Sequence, residues 1–215
     1  MFIKKDRAPK IKRAAQKVET RARVLEVART ELERVGFEAT NIREVARVAG
    51  VAPGTVLLHF KDKADLLHAA LFDDLEATAA NAVKRAKHRS LEEDLVAVAK
   101  TFFAYYAARP ALSRALLRES LFASPPWSGR FAAQVGGLHQ HLATLLEGAK
   151  TRGEVRADVG ADVFGATFFS FYYFALLAWL QGGHPDPARL FRTLLTGHLS
   201  GLRPAGATPK TRRKR

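Results

Sequence analysis

The sequence predicts an all-α protein of about nine helices, with a three-helix head at the N-terminus and a larger helical body behind it. Three observations predict this. Apolar residues recur at three- and four-residue spacing along most of the chain, and capping and stop residues bracket those runs. No segment alternates apolar and polar residues between hairpin turns. The 215 residues suffice for one large or two small domains.

Residues 1–19 are expected to be a basic, disordered arm. A first helix follows over 20–35, with Val24, Leu25, Ala28, Leu32 and Val35 inward and Gly36 ending it. Asn41 caps the next helix and stands three before Glu44, the capping-box spacing. Ile42, Val45, Ala46 and Ala49 share one face of it, leaving Arg43, Glu44 and Arg47 on the other. Gly50 supplies a left-handed stop, and Val51 is an apolar turn residue. Pro53 opens a third short helix, anchored by Val56 and Phe60. Asp62 caps a longer one carrying Lys63, Leu66, Leu67 and Ala70. Two short helices joined by a glycine turn form a helix-turn-helix, whose second helix enters a DNA major groove.

Beyond the head, Ser90 and Glu93 open a helix running towards Ala108, and Pro110 starts a short one. The run 124–128 is a break, 130–152 a helix and 153–160 a polar loop. Two more helices cover 161–181 and 187–202, the last capped by Asp186.

The formal charge of +14 sits at the ends. Residues 1–23 carry net +7 and residues 203–215 net +6, leaving +1 between them. Basic tails of this kind point to nucleic acid as partner, with a purely solubilising role as the alternative for the C-terminal one. Cysteine is absent, which excludes a disulfide framework or zinc–thiolate site and fits a reducing cytosol. The N-terminal segment has no apolar core of signal-peptide length.

The 18 residues 163–180 contain no charge and many aromatics. That length raises the question of a membrane span. Thr167, Ser170, Tyr172 and Tyr173 in its middle argue for burial in protein, as does the amphipathic helix that follows.

The residues Gly36-Phe37, Thr40, Val45-Ala46, Ala49-Gly50-Val51, Gly54-Thr55, His59-Phe60, Lys63 and Leu66-Leu67 resemble the tetracycline-repressor (TetR) family of bacterial transcription regulators. The resemblance implies an all-α fold with a head at 20–67 and an effector-binding and dimerisation domain at 68–202. It implies Arg43 as the main base reader, bidentate on guanine, with a plain phosphate contact as its alternative. Ala52, Pro53 and Thr55 would lie against bases. Thr40, Asn41, Arg47, Leu57, His59 and Lys63 would lie along phosphates, His59 having a purely structural role as its alternative. Leu57 departs from the family, which has a phosphate-binding tyrosine there, so the basic arm is expected to compensate.

In the body, the candidate pocket residues are Phe103, Arg114, Arg118, Trp127, His139, Phe168 and Tyr172, suited to a mainly apolar ligand. By resemblance the last two helices pair with a second copy, with Phe164, Phe171, Leu177, Leu190, Leu194 and His198 at the dimer interface. His139 and His141 diverge on a helix, so no metal is expected, nor is any cofactor. No phosphate loop, nucleophile elbow or H-E-x-x-H run occurs, so catalytic residues are not expected. The expectation is therefore a cytoplasmic, homodimeric repressor, released from a palindromic operator by a small ligand. An activator, a ligand-independent regulator and a non-specific nucleoid binder are the alternatives.

Overall fold

The computed structural model describes the backbone of residues 7–85 and 90–204, with side chains from Arg13 onwards. Among these residues it contains nine helices and no strand. They are α1 (Arg7–Ala39), α2 (Ile42–Val48), α3 (Pro53–Leu57), α4 (Lys63–Arg85) and α5 (Leu91–Ala108), then α6 (Pro110–Leu121), α7 (Trp127–Thr151), α8 (Ala161–Leu180) and α9 (Pro187–Gly201).

The first helix departs from expectation. It begins at Arg7, so the arm expected to be irregular through residue 19 is helical over its described part. The reason is local. From Arg13 to Glu19 the residues are mostly good helix formers, and Pro9 falls in the first turn, where its missing N–H leaves no bond unmade. The first six residues of that arm, and the basic tail beyond Pro204, lie outside the described residues.

The chain packs as two compact units. The first comprises the residues up to Leu75 together with Arg109–Gly129; the second comprises Glu76–Ala108 and the residues from Arg130 onwards. The sequence divides the chain by role at residue 67. Packing groups α6 and the first half of α4 with the head.

In the first unit Val24, Leu32, Val45, Val56, Phe60, Leu67, Leu71 and Leu116 are buried. Full burial of a side chain such as Phe60 contributes about 1.5–3 kcal/mol. Helix α6 packs on α1. Its ends are pinned by ion pairs, Arg109 with Glu33 and Asp74, and Arg118 with Glu38 at 2.7 Å. These pairs are largely exposed, so they set geometry more than stability.

In the second unit α9 packs against both α5 and α8. Leu95, Phe103, Leu142, Leu146, Phe168, Leu176, Phe191 and Leu195 form its core. Two helix starts are closed by side chains. Glu154 accepts from the Leu91 N–H at 2.7 Å, and Asp186 accepts from Ala188 and Arg189. Helix α8 is the only described helix long and apolar enough to cross a membrane by length and composition. Here it carries Phe164, Phe168, Tyr172 and Leu176 into the protein core.

Candidate nucleic-acid interface and the helical body

The entry to α2 is built from a glycine and a threonine. Gly36 has φ 78° and ψ 170°, a region open in practice only to glycine. Its carbonyl accepts from the Thr40 N–H at 3.2 Å and from the Thr40 hydroxyl at 2.7 Å. Thr40 is only 4% exposed. Its hydroxyl proton is thus used within the chain to hold the bend.

Asn41 caps α2 by accepting from the Arg43 N–H at 2.9 Å. The capping box expected with Glu44 gives way to a different pairing. Glu44 takes the Arg47 guanidinium through two bonds, at 2.8 and 2.5 Å. The bonds from Arg47 hold the Glu44 carboxyl below its ordinary pKa and raise that of Arg47. Arg47 is thus engaged within α2, while Arg43 and Asn41 stand exposed.

The turn after α2 is a Schellman motif. Gly50 has φ 66°, the Val51 N–H reaches the Ala46 carbonyl at 2.9 Å, and the Gly50 N–H reaches Arg47. Arg23 of α1 adds a bond to the Ala49 carbonyl at 3.0 Å. These bonds fix the angle between α2 and α3.

On α3, Val56 is wholly buried, while Ala52, Pro53 and Gly54 are exposed and Thr55 is half-buried. The outer surface is therefore small at its start and permits close approach of another backbone. At its end Leu57 and Leu58 are 52% and 79% exposed, an unusual placement for two leucines. His59 is half-buried beside Phe60. Burial, and then the charges of Lys17 and Arg21, push its pKa down, so it stands as a neutral imidazole at pH 7. Lys63 donates to the Glu38 carbonyl at 3.0 Å and lies over the Phe37 ring.

The seven candidate pocket residues divide between the two units. Phe103, Phe168 and Tyr172 come together in the second: the Phe103 and Phe168 rings stack on Tyr172 at 5.3 and 6.3 Å, with Phe102 and Phe191 beside them. Tyr172 is hydrogen-bonded to Tyr106, and burial pushes both phenols up, so both stay protonated. His139 lies against Gly165 and meets the Phe169 ring edge-on at 4.6 Å. The side-chain nitrogens His139 Nε2 and, earlier on α7, Gln134 Nε2 are buried without a hydrogen-bond partner.

Arg114, Arg118 and Trp127 belong instead to the first unit. Arg118 is held by Glu38 and Glu119. Trp127 is buried and donates its indole N–H to Asp65 at 2.5 Å. It walls a cavity of about 220 Å³ formed with Asp62, Asp65, His68, Glu119 and Phe122. Sequence reasoning missed this cavity, because residues about 60 positions apart form it and no local spacing announces them.

Of the residues expected at a dimer interface, Phe164 is 3% exposed and turned into its own subunit. Phe171 packs on His198, and Leu190, Leu194 and His198 are half-buried. Leu177 is exposed, in line along α8 with Val163, Ser170 and Phe174. Their spacings of seven, four and three put them on one helical stripe.

Residues 24–70 match the family model described as bacterial regulatory proteins, tetR family. Several solved structures share the fold over most of both chains. FadR from Thermus thermophilus, a TetR-family repressor in complex with lauroyl-CoA, is 24% identical with a TM-score of 0.67, covering 87% of this chain and 98% of its own. FadR from Bacillus subtilis, in complex with stearoyl-CoA, is 19% identical with a TM-score of 0.66, covering 85% and 99%. The TetR-family regulator PfmR, also from Thermus thermophilus, is 19% identical with a TM-score of 0.60, covering 84% and 99%.

Proposed function

Since its DNA-binding head places this chain in the tetR family of bacterial regulatory proteins, we propose that it acts as a homodimeric repressor, released from a palindromic operator by a small, mainly apolar ligand. The observation that carries this reading is the exposed start of α3, held by the Schellman turn and the Thr40–Gly36 bonds. A rigid, outward short helix with small residues at its tip is what entry into a major groove requires. Arg43 on α2 is the base reader in this reading, with Ala52, Pro53 and Thr55 against base edges and methyl groups. Asn41, His59 and Lys63 lie along the backbone.

Dimerisation is assigned to α8 and α9, through the stripe of Val163, Phe174 and Leu177 with Leu190 and Leu194. Large apolar groups left exposed on a helix that is otherwise core mark an interface. Two-fold symmetry then gives half-sites one turn apart or a multiple of it. The ligand is assigned to the second unit, near the buried polar atoms of Gln134 and His139 and the aromatic residues around Phe168. Because two proteins of the same fold carry acyl-CoA thioesters, lauroyl-CoA and stearoyl-CoA are the first ligands to try.

Selection of bound duplexes from random DNA, repeated with each acyl-CoA, tests the reading. It expects a palindromic consensus whose recovery falls when ligand is added. Enrichment of no sequence would leave a non-specific binder. A consensus indifferent to both thioesters would remove the acyl-CoA assignment and leave the head.

A further inference from the structure

We propose that the overhanging N-terminal part of α1 is a second DNA-binding element, in which Arg13 and Lys17, in line with Arg21, grip the sugar–phosphate backbone of duplex DNA beside the reading helix. The inference rests on the DNA-binding reading above and assigns to it a surface that the helix-turn-helix itself does not contain.

The first argument is helical phase. At 100° per residue, Arg13, Lys17 and Arg21 fall within about 80° of one another on α1. Val24 and Ala28, both wholly buried, continue the same line further along. The face of α1 that docks on the head therefore turns basic where the helix runs beyond the core. Glu19 and Glu26, the acidic residues of this stretch, lie about 120° or more from all three cations, on the far side. Arg23 falls on the Glu19 side and is bonded to the Ala49 carbonyl, so it does not add to the line of Arg13, Lys17 and Arg21.

The second argument is location. Arg21 lies over the Phe60 ring, 5.1 Å from its centroid, and Phe60 follows directly after the residues that end α3. Lys17 and Arg13 are exposed and extend the line by about 6 and 12 Å at 1.5 Å per residue. Lys17 and Arg21 stand close enough to His59 for their charges to lower its proton affinity. Arg21 and Lys17 of α1 thus add to the positive charge of Lys61 and Lys63 beyond the end of the reading helix, while His59 itself is neutral.

The third argument is shape. A disordered basic arm can enter a minor groove and read its width, but a helix is too wide for it. A helical overhang lying alongside the groove meets phosphates. Its contribution is then sequence-independent, adding affinity and leaving specificity unchanged. Such contacts also offset the exposed leucine at position 57, where the family has a phosphate-binding hydroxyl.

The test uses the full chain on the selected operator and on a random duplex of equal length, with affinity measured across a salt series. In Arg13→Gln/Lys17→Gln, affinity should fall by the same factor on both duplexes. The slope of log affinity against log salt should lose about two, at about 0.9 per phosphate contact. The decisive variant is Arg13→Ala/Ala15→Arg/Lys17→Glu/Glu19→Lys, which keeps composition and net charge and moves both cations about 200° round the helix. It should bind at least as weakly as the glutamine variant while circular dichroism remains unchanged. Wild-type affinity in this face-swapped variant would overturn the proposal in favour of diffuse electrostatics. So would an effect confined to the operator. Failure of the wild-type chain to bind either duplex would remove the underlying DNA-binding reading instead.

Discussion

Gly165 of α8 lies beneath the ring of His139 of α7: a Cβ at that position would stand 2.5 Å from the imidazole Cδ2 and 3.0 Å from Nε2. The ring is also held edge-on by Phe169, so it cannot yield without leaving its rotamer. Overpacking of this kind costs about 1–3 kcal/mol, against about 1 kcal/mol gained by replacing a helical glycine with alanine. Gly165→Ala should therefore lower stability when His139 is present. In a His139→Ala background the same change should raise it by about 0.5–1 kcal/mol. Denaturant unfolding of the four proteins gives the coupling, and no sign reversal would show that the ring relaxes freely.

The Gly36–Thr40 pair makes a separate prediction for the head. Gly36→Ala forces a side chain into backbone space that only glycine populates, at about 1–3 kcal/mol. Thr40→Val removes the 2.7 Å hydroxyl bond and should cost about 1 kcal/mol, whereas Thr40→Ser should restore it. Thermal unfolding of the free protein reads both. If Thr40→Val left stability unchanged and weakened DNA binding, a phosphate role would return.

The head was legible because its signals are local. Gly36, Asn41, Gly50 and Pro53 each impose a backbone conformation or cap that neighbouring residues reveal. At Thr40 the sequence shows that a hydroxyl is present, while burial decides that it bonds the Gly36 carbonyl. The start of α1 was misplaced because nine basic residues in the first 23 suggested an arm, while the propensity of residues 13–19 carried the helix outwards. On α8 nearly every residue is apolar, so periodicity could not separate inward Phe164 from outward Val163 and Phe174. Residues such as Trp127 and Asp65 meet only through tertiary packing, which one sequence does not encode in any spacing.

His68 predicts an acid-side loss of stability in the first unit. It is 4% exposed, hydrogen-bonded to the Glu119 backbone and packed 5.5 Å from the Trp127 ring. Burial dominates over the nearby carboxylates Glu119, Asp65 and Asp62, and lowers its pKa. With the folded value below the unfolded one of about 6.5, the unfolded chain binds the proton first as pH falls. The stability linked to His68 is thus fully present above about pH 6.5 and is lost as pH falls through the folded value. In a Trp179→Phe background, Trp127 fluorescence should report unfolding at lower denaturant at pH 5.5 than at pH 7.5. His68→Gln should flatten that difference, and an unchanged slope would assign the effect elsewhere.

Leu57→Tyr tests the departure at the end of α3. Leu57 is half-exposed, so a tyrosine can be accommodated there without repacking the core. Its hydroxyl would supply a neutral donor to a phosphate, worth about 0.5–1.5 kcal/mol, or roughly two- to twelvefold in affinity. The gain should be equal on operator and random duplex, because phosphate contacts carry no sequence information. A gain on the operator alone would mean that position 57 faces bases.

The outward stripe of α8 gives the prediction on which a two-headed regulator depends. Phe174 is 57% exposed and Leu177 36% exposed, on a helix whose other face is fully packed. In a dimer these side chains are desolvated, and a charge placed among them has no partner in an apolar surround. Phe174→Glu should therefore shift the protein to monomer in analytical ultracentrifugation while leaving helix content unchanged. A monomer engages one half-site, and the linked second contact is lost, so affinity for the full palindrome should fall by about two orders of magnitude or more. Affinity for an isolated half-site should stay as it was. If Phe174→Glu remains dimeric, the two-fold contact lies on another face, and α9 residues such as Arg192 and Thr196 become the next to substitute.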